Sequence, residues 1–155
     1  MSANAKDEMS VENNKNLTEL KTETDKFKVS SGSEKKKVLI VDDDDTHLTA
    51  TKGILKKEYD VYIAKSGQEA LILFFQGLIP DVILLDIVMP EMDGWDTYKR
   101  VKALNDLHTV PVAFFTSSED PEHIERAKKI GIADYIMKPA KKRELSERIK
   151  RLIKS

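Results

Sequence analysis

The chain has 155 residues, carries a net charge of only −1 although 34% of its residues are charged, and has no cysteine. Its length points to one domain, the lack of cysteine excludes disulfides and thiolate metal centres, and the near-zero charge gives no bulk attraction to nucleic acid or to an anionic membrane. No apolar run reaches the roughly 18–20 residues of a membrane span, and the first residues lack the apolar stretch of a signal peptide, so a cytoplasmic location is expected.

Residues 1–35 are rich in Asn, Lys, Glu, Ser and Thr, with scattered apolar members such as Leu17, Leu20 and Phe27. Such a composition cannot bury enough surface to fold alone, and a disordered tail is expected there. From residue 36 to 155 a regular alternation holds. Val38-Leu-Ile-Val41 is a short β-rich run that ends in four aspartates. Leu48, Thr51 and Leu55 then recur at helical spacing. Asp60 to Ala64 reads as a second strand. Ser66 and Glu69 have capping-box spacing and open a helix that Gly77 closes. Asp81 to Asp86 is the third strand, with a helix from Asp93 or Gly94 carrying Trp95 and Tyr98. Pro111 to Thr116 is the fourth. Asp120-Pro121 opens another helix, which Gly131 ends. Tyr135 to Lys138 is the fifth strand, and Leu145, Ile149 and Leu152 mark an amphipathic last helix.

Five strands thus alternate with five helices. Strands 1, 3 and 4 are continuously apolar, as when both faces are covered. Short connections and right-handed crossovers predict a doubly wound parallel α/β sheet with helices on both faces. Ligands bind such sheets outside the carboxyl ends of the strands, and those ends carry Asp42 and Asp43, then Asp86, then Thr116 and Ser117, then Lys138. Three neighbouring carboxylates repel unless a cation joins them, and a hard cation with oxygen ligands, Mg²⁺, is expected. Carboxylate, cation, lysine and hydroxyl are the parts needed to attack phosphorus and hold the spread charge of the transition state.

Val38-Leu-Ile-Val-Asp-Asp43, Asp86-Ile-Val-Met-Pro-Glu-Met-Asp-Gly94, Phe115-Thr-Ser117 and Tyr135-Ile-Met-Lys-Pro139 resemble, in order and at the strand ends, the signature of receiver domains of two-component response regulators. The resemblance implies a flavodoxin-like (CheY-like) sheet of order 2-1-3-4-5. It implies that Asp86 is the phosphoacceptor, and that Asp43, assisted by Asp42, holds Mg²⁺ with Asp86 and the backbone carbonyl of Val88. Lys138 would pair with the phosphoryl group, Thr116 would hydrogen-bond it, and Tyr135 would be the aromatic switch that follows Thr116. Ser118 and Val88 would flank the site. The donor would be a sensor histidine kinase or a histidine phosphotransfer protein, and the reader a downstream protein. No output domain, direct nucleic-acid contact or membrane contact is expected, and the chain would be a monomer or a phosphorylation-dependent dimer. It would not be a turnover enzyme.

The four consecutive aspartates leave the register of the acidic pair open within Asp42–Asp45, with Asp44 and Asp45 read as helix caps. Ala140 stands where many relatives carry a bulky apolar residue. His47, His108 and His123 read as surface histidines. Two rivals compete. Asp42-x-Asp44-x-Thr46 matches the first motif of haloacid-dehalogenase-like phosphatases, with Asp42 as nucleophile, but leaves Asp86 without a role. An FMN-binding module would need a phosphate cradle where the four aspartates stand.

Overall fold

A computed structural model describes residues 35–154, so the tail expected over 1–35 falls outside the described residues apart from Lys35. In chain order the elements are β1 (Lys37–Val41), α1 (Asp45–Leu55), β2 (Asp60–Ala64), α2 (Gly67–Phe75), β3 (Val82–Leu85), α3 (Gly94–Lys102), β4 (Val112–Thr116), α4 (Pro121–Lys129), β5 (Asp134–Met137) and α5 (Lys142–Lys154). The strands form one parallel sheet in the order β2-β1-β3-β4-β5. The fold is the doubly wound one that the alternation predicts, in the CheY-like strand order that the family resemblance implies.

Strand composition follows position. β3 and β4 are buried at every residue and β1 at all but its first, whereas the edge strands β2 and β5 are only partly covered. Alternate residues feed two cores, because successive side chains point to opposite faces. Leu39, Val41, Ile83, Leu85 and Phe114 pack with Ala70, Trp95, Val101 and Ala127 of α2, α3 and α4. Val38, Ile40, Val82, Leu84, Ala113 and Phe115 pack with Leu48 and Leu55 of α1 and Leu145, Ile149 and Leu152 of α5. Burying a leucine or phenylalanine contributes about 1.5–3 kcal/mol, so the two layers hold the sheet rigid beneath its loops.

The helix ends obey local chemistry. Asp44, Ser66, Asp93 and Asp120 are the N-caps of α1 to α4, each accepting backbone N–H groups of the first turn. Gly77 (φ 102°) and Gly131 (φ 79°) close α2 and α4 in the left-handed region. In both, the next residue's N–H returns to the last turn, Leu78 to Leu73 and Ile132 to Ala127, as a Schellman end requires. Two expectations shift. The Glu69 carboxylate accepts from Lys65 N at 2.7 Å rather than from the N-cap residue Ser66. Strand β5 runs one residue earlier than its apolar pattern suggests, from Asp134, because Asp134 pairs with Ala113 in the ladder.

Candidate functional site

The sheet itself sets the positions of the polar groups at its carboxyl edge. Three of them follow directly on a strand and donate one last backbone hydrogen bond to a neighbouring strand. Asp42 N donates to Ala64 O at 3.0 Å, Asp86 N to Val41 O at 2.9 Å and Lys138 N to Thr116 O at 2.9 Å. Such rungs fix the Cα atoms, and the side chains then converge.

Asp42, Asp43 and Asp86 each bring a carboxylate oxygen to within 4.8 Å of one another. Asp42 is the most buried of them, 2% exposed. Its Oδ1 accepts from Asp44 N at 2.9 Å and its Oδ2 from Lys138 Nζ. Lys138 Nζ also lies 3.4 Å from Asp86 Oδ2. Its stem passes the Phe115 ring, with Nζ 5.4 Å from the ring centre. The other Asp86 oxygen, Oδ1, accepts from Ile87 N at 2.8 Å. Burial pushes the Asp86 carboxyl above the usual carboxylate range, with the Asp42 charge adding to it; Lys138, the Thr116 hydroxyl and Ile87 N oppose that rise without cancelling it.

The loop after β3 is drawn tightly over this group. Gly94 N donates to Ile87 O at 2.7 Å, and a Cβ at Gly94 would stand 2.3 Å from Asp86 O. Only glycine permits that approach. Val88, two residues past Asp86, is exposed at the rim. Thr116 is buried, and its Oγ1 accepts from Ser118 N at 3.3 Å. Tyr135 is half-buried, its ring edge-on to Phe114 at 6.3 Å and its hydroxyl donating to Ser118 O at 2.8 Å.

Sequence reasoning passed over two histidines. His47, in the first turn of α1, places Nδ1 3.7 Å from Asp42 Oδ2 and 3.4 Å from Lys138 Nζ. His123 meets Ser118 Oγ at 2.7 Å. The His108 ring meets the local Asn105 carbonyl at 2.6 Å, and its own carbonyl accepts from Lys102 Nζ at 3.1 Å. Ala140 is partly buried beside a cleft of about 390 Å³ that His47, Ala50, Ile54, Phe115 and Lys138 also line. Asp44 Oδ1 accepts from Thr46 N and His47 N as a helix cap, and a phosphatase motif built on Asp42 still gives Asp86 no role. The loop after β1 presents carboxylates, not the phosphate cradle of a flavin site.

Fold and site together define a class: an open parallel sheet whose switch point presents a carboxylate cluster bridged by one lysine. The chain belongs to the response regulator receiver domain family, whose model matches residues 38–150. Its members are phosphoacceptors of two-component signalling, and Mg²⁺ binding is general among them. Among curated proteins it is 39% identical over 103 residues to the transcriptional regulatory protein ZraR of Escherichia coli K12, covering 66% of this chain and 23% of ZraR. A response regulator structure from Chloroflexus aurantiacus superposes with TM-score 0.72 at 32% identity, over 78% of this chain and 99% of that one. The receiver domain of the sensor histidine kinase PA1611 of Pseudomonas aeruginosa, with magnesium in its active-site cleft, gives TM-score 0.71 at 26% identity and the same coverage. The curated relatives run longer: the chain spans 23% of ZraR and 46% of a transcriptional regulator of Guillardia theta. Among the described residues no helix is long and apolar enough to cross a membrane.

Proposed function

We propose that Asp86 accepts a phosphoryl group from the phosphohistidine of a sensor histidine kinase or a histidine phosphotransfer protein. The P–N bond of the donor breaks, a P–O bond forms to Asp86, and the imidazole leaves with its electron pair. One observation carries the reading. Asp86 Oδ2 has Lys138 as a neighbour at 3.4 Å, longer than the roughly 2.7–2.9 Å of a committed ionic hydrogen bond, whereas Oδ1 is held by Ile87 N. One oxygen is anchored by a backbone N–H, and the other faces the Lys138 ammonium group at the long end of hydrogen-bond range.

The donor set fits a hard divalent cation, since three carboxylates at this spacing supply only oxygen. Asp43, Asp42, Asp86 and the Val88 carbonyl would hold Mg²⁺, which when bound supplies positive charge against the phosphoryl oxygens. The magnesium in the PA1611 receiver domain supports this choice. Lys138 Nζ, already between Asp42 and Asp86, would move toward the incoming phosphoryl group, and the Thr116 hydroxyl would donate to it. Tyr135 would follow Thr116. Residues 36–155 act in this reading as one cytoplasmic receiver domain. The added charge biases a two-state surface read by a downstream protein rather than by nucleic acid. The chain itself turns over no other substrate.

Acetyl phosphate with Mg²⁺ tests the reading. Intact mass should rise by one phosphoryl group, and peptide mapping after hydride trapping should place it on Asp86. A phosphoryl group mapped to Asp42, or none on a folded chain, would overturn it.

A further inference from the structure

Ser118, two residues past Thr116, is held from three directions. Its N–H donates to Thr116 Oγ1 at 3.3 Å, its carbonyl accepts from Tyr135 OH at 2.8 Å, and its hydroxyl meets His123 Nδ1 at 2.7 Å. The hydroxyl oxygen also takes Asp120 N at 3.4 Å. The direction of the Ser118–His123 hydrogen bond follows the tautomer of the imidazole, whose other ring nitrogen is Nε2. Asp120 Oδ2 lies 3.9 Å from that nitrogen.

His123 belongs to α4 and stands edge-on to the Trp95 ring of α3, with centroids 5.7 Å apart and planes at 69°. Arg126 lies over the same indole, 4.3 Å from its centre. A chain of direct contacts therefore runs from Thr116 through Ser118 and His123 to Trp95. Only residues 117–119 separate the end of β4 from Asp120, the N-cap of α4. So short a link has little slack. If Thr116 turns toward a phosphoryl oxygen, Ser118 must move with it, and it either leaves His123 or carries His123 along.

We propose that His123 is a positioning residue. It holds the Ser118 hydroxyl, and so transmits displacement of the β4–α4 loop to Trp95 and the surface that α3 and α4 share. The proposal rests on the reading of Asp86 as phosphoacceptor and names a route by which that site reaches a surface.

Trp95 is the chain's single tryptophan; its emission senses Phe114 and Arg126 as well as His123, and the difference between wild type and a His123 variant isolates this contact. The full chain is titrated with beryllofluoride in the presence of Mg²⁺, and fluorine NMR counts the bound ligand in parallel. The wild type should change its Trp95 emission as beryllofluoride saturates. His123→Ala should bind with a midpoint within about threefold of wild type yet lose most of that change, as expected when one link of a coupled chain is removed. Ser118→Ala should also lose it at full occupancy, although the His123–Trp95 contact remains. His123→Asn, which keeps a hydrogen-bonding group near the place of Nδ1, should recover it. Full occupancy with unchanged wild-type emission, or an equal change in His123→Ala, overturns the proposal. So does a His123→Asn variant as silent as His123→Ala, which would assign the effect to packing alone. If no beryllofluoride binds to the wild type, the Asp86 reading falls and this one falls with it.

Discussion

Aspartates flank strand β3 at both ends, and the two differ in what holds them. Asp81, before the strand, is clamped by backbone: its Oδ2 accepts from Lys37 N at 2.7 Å, and its own N–H returns to Lys37 O at 2.8 Å. It closes the start of the β1–β3 ladder, a structural brace. Asp86, after the strand, has one oxygen held by Ile87 N and the other beside a movable ammonium group at 3.4 Å. Its neighbours include a second buried carboxylate, and burial raises its pKa. Strand, residue type and partial burial are shared, so none of these makes a carboxylate reactive. Each has one oxygen on a backbone N–H; the difference lies in the surroundings of Asp86, which also has the Lys138 ammonium group and the carboxylates of Asp42 and Asp43 beside it.

The sharpest way to break this contrast is to change one end at a time. Asp86→Asn should abolish covalent phosphorylation by acetyl phosphate. Asp81→Ala should leave its rate within about twofold while costing roughly 1.5–3 kcal/mol of stability for the lost charged hydrogen bond. Mass spectrometry and urea unfolding read the two effects, and an Asp81→Ala chain that folds but takes no phosphoryl group would erase the distinction. Next in size is Lys138→Met, which leaves the buried Asp42 charge uncompensated. Without divalent cations it should destabilise by about 3–5 kcal/mol, and Mg²⁺ should return part of that loss by binding the folded state.

Gly94→Ala comes third. Its new methyl would collide with backbone at Asp86 and Ile87, so a loss of about 1–3 kcal/mol is expected, together with slower phosphorylation. Gly53→Ala, within α1 and with open space around its Cβ, should instead stabilise by about 0.5–1 kcal/mol. The smallest effect is one of pH. The folded-state pKa of Asp86 lies above its unfolded value, so the folded chain favours the protonated form. Ionised Asp86 therefore opposes folding at neutral pH, and this penalty fades as pH falls through the raised pKa to the unfolded value near about 3.9. Asp86→Asn should accordingly raise Tm at pH 7, with a gain that shrinks over that acid range. A gain that grew on acidification would show that Lys138 outweighs burial.

The fold was legible because its signals are local. Continuous apolar runs marked β1, β3 and β4, and cap residues and closing glycines bounded the helices. The convergence of Asp42, Asp43, Asp86 and Lys138 followed from one topological rule about strand ends, which needs no side-chain detail. His47 and His123 were not legible for the opposite reason. Each lies in the first turn of a helix, where the direction of a side chain depends on how the helix docks, and no periodic pattern reports docking. The exchange of Lys65 for Ser66 as the partner of Glu69 is similar, because capping-box spacing names the acceptor but not which of two adjacent N–H groups it takes. The one-residue offset of β5 arose because Asp134 is polar yet pairs in the ladder, where Arg148 of α5 neutralises its carboxylate at 2.9 Å.

The ammonium group of Lys138 joins residues 96 positions apart, from the last strand back to the first, and in the sheet β3 and β4 lie between those two strands. Contacts of such long sequence separation form late in folding, after the loop entropy of the intervening chain has been lost. An incompletely docked chain, with β5 not yet laid down, still has its aspartates but lacks the cation that brings them together. On the reading of Asp86 as phosphoacceptor, competence for phosphorylation would then be conditional on a finished sheet.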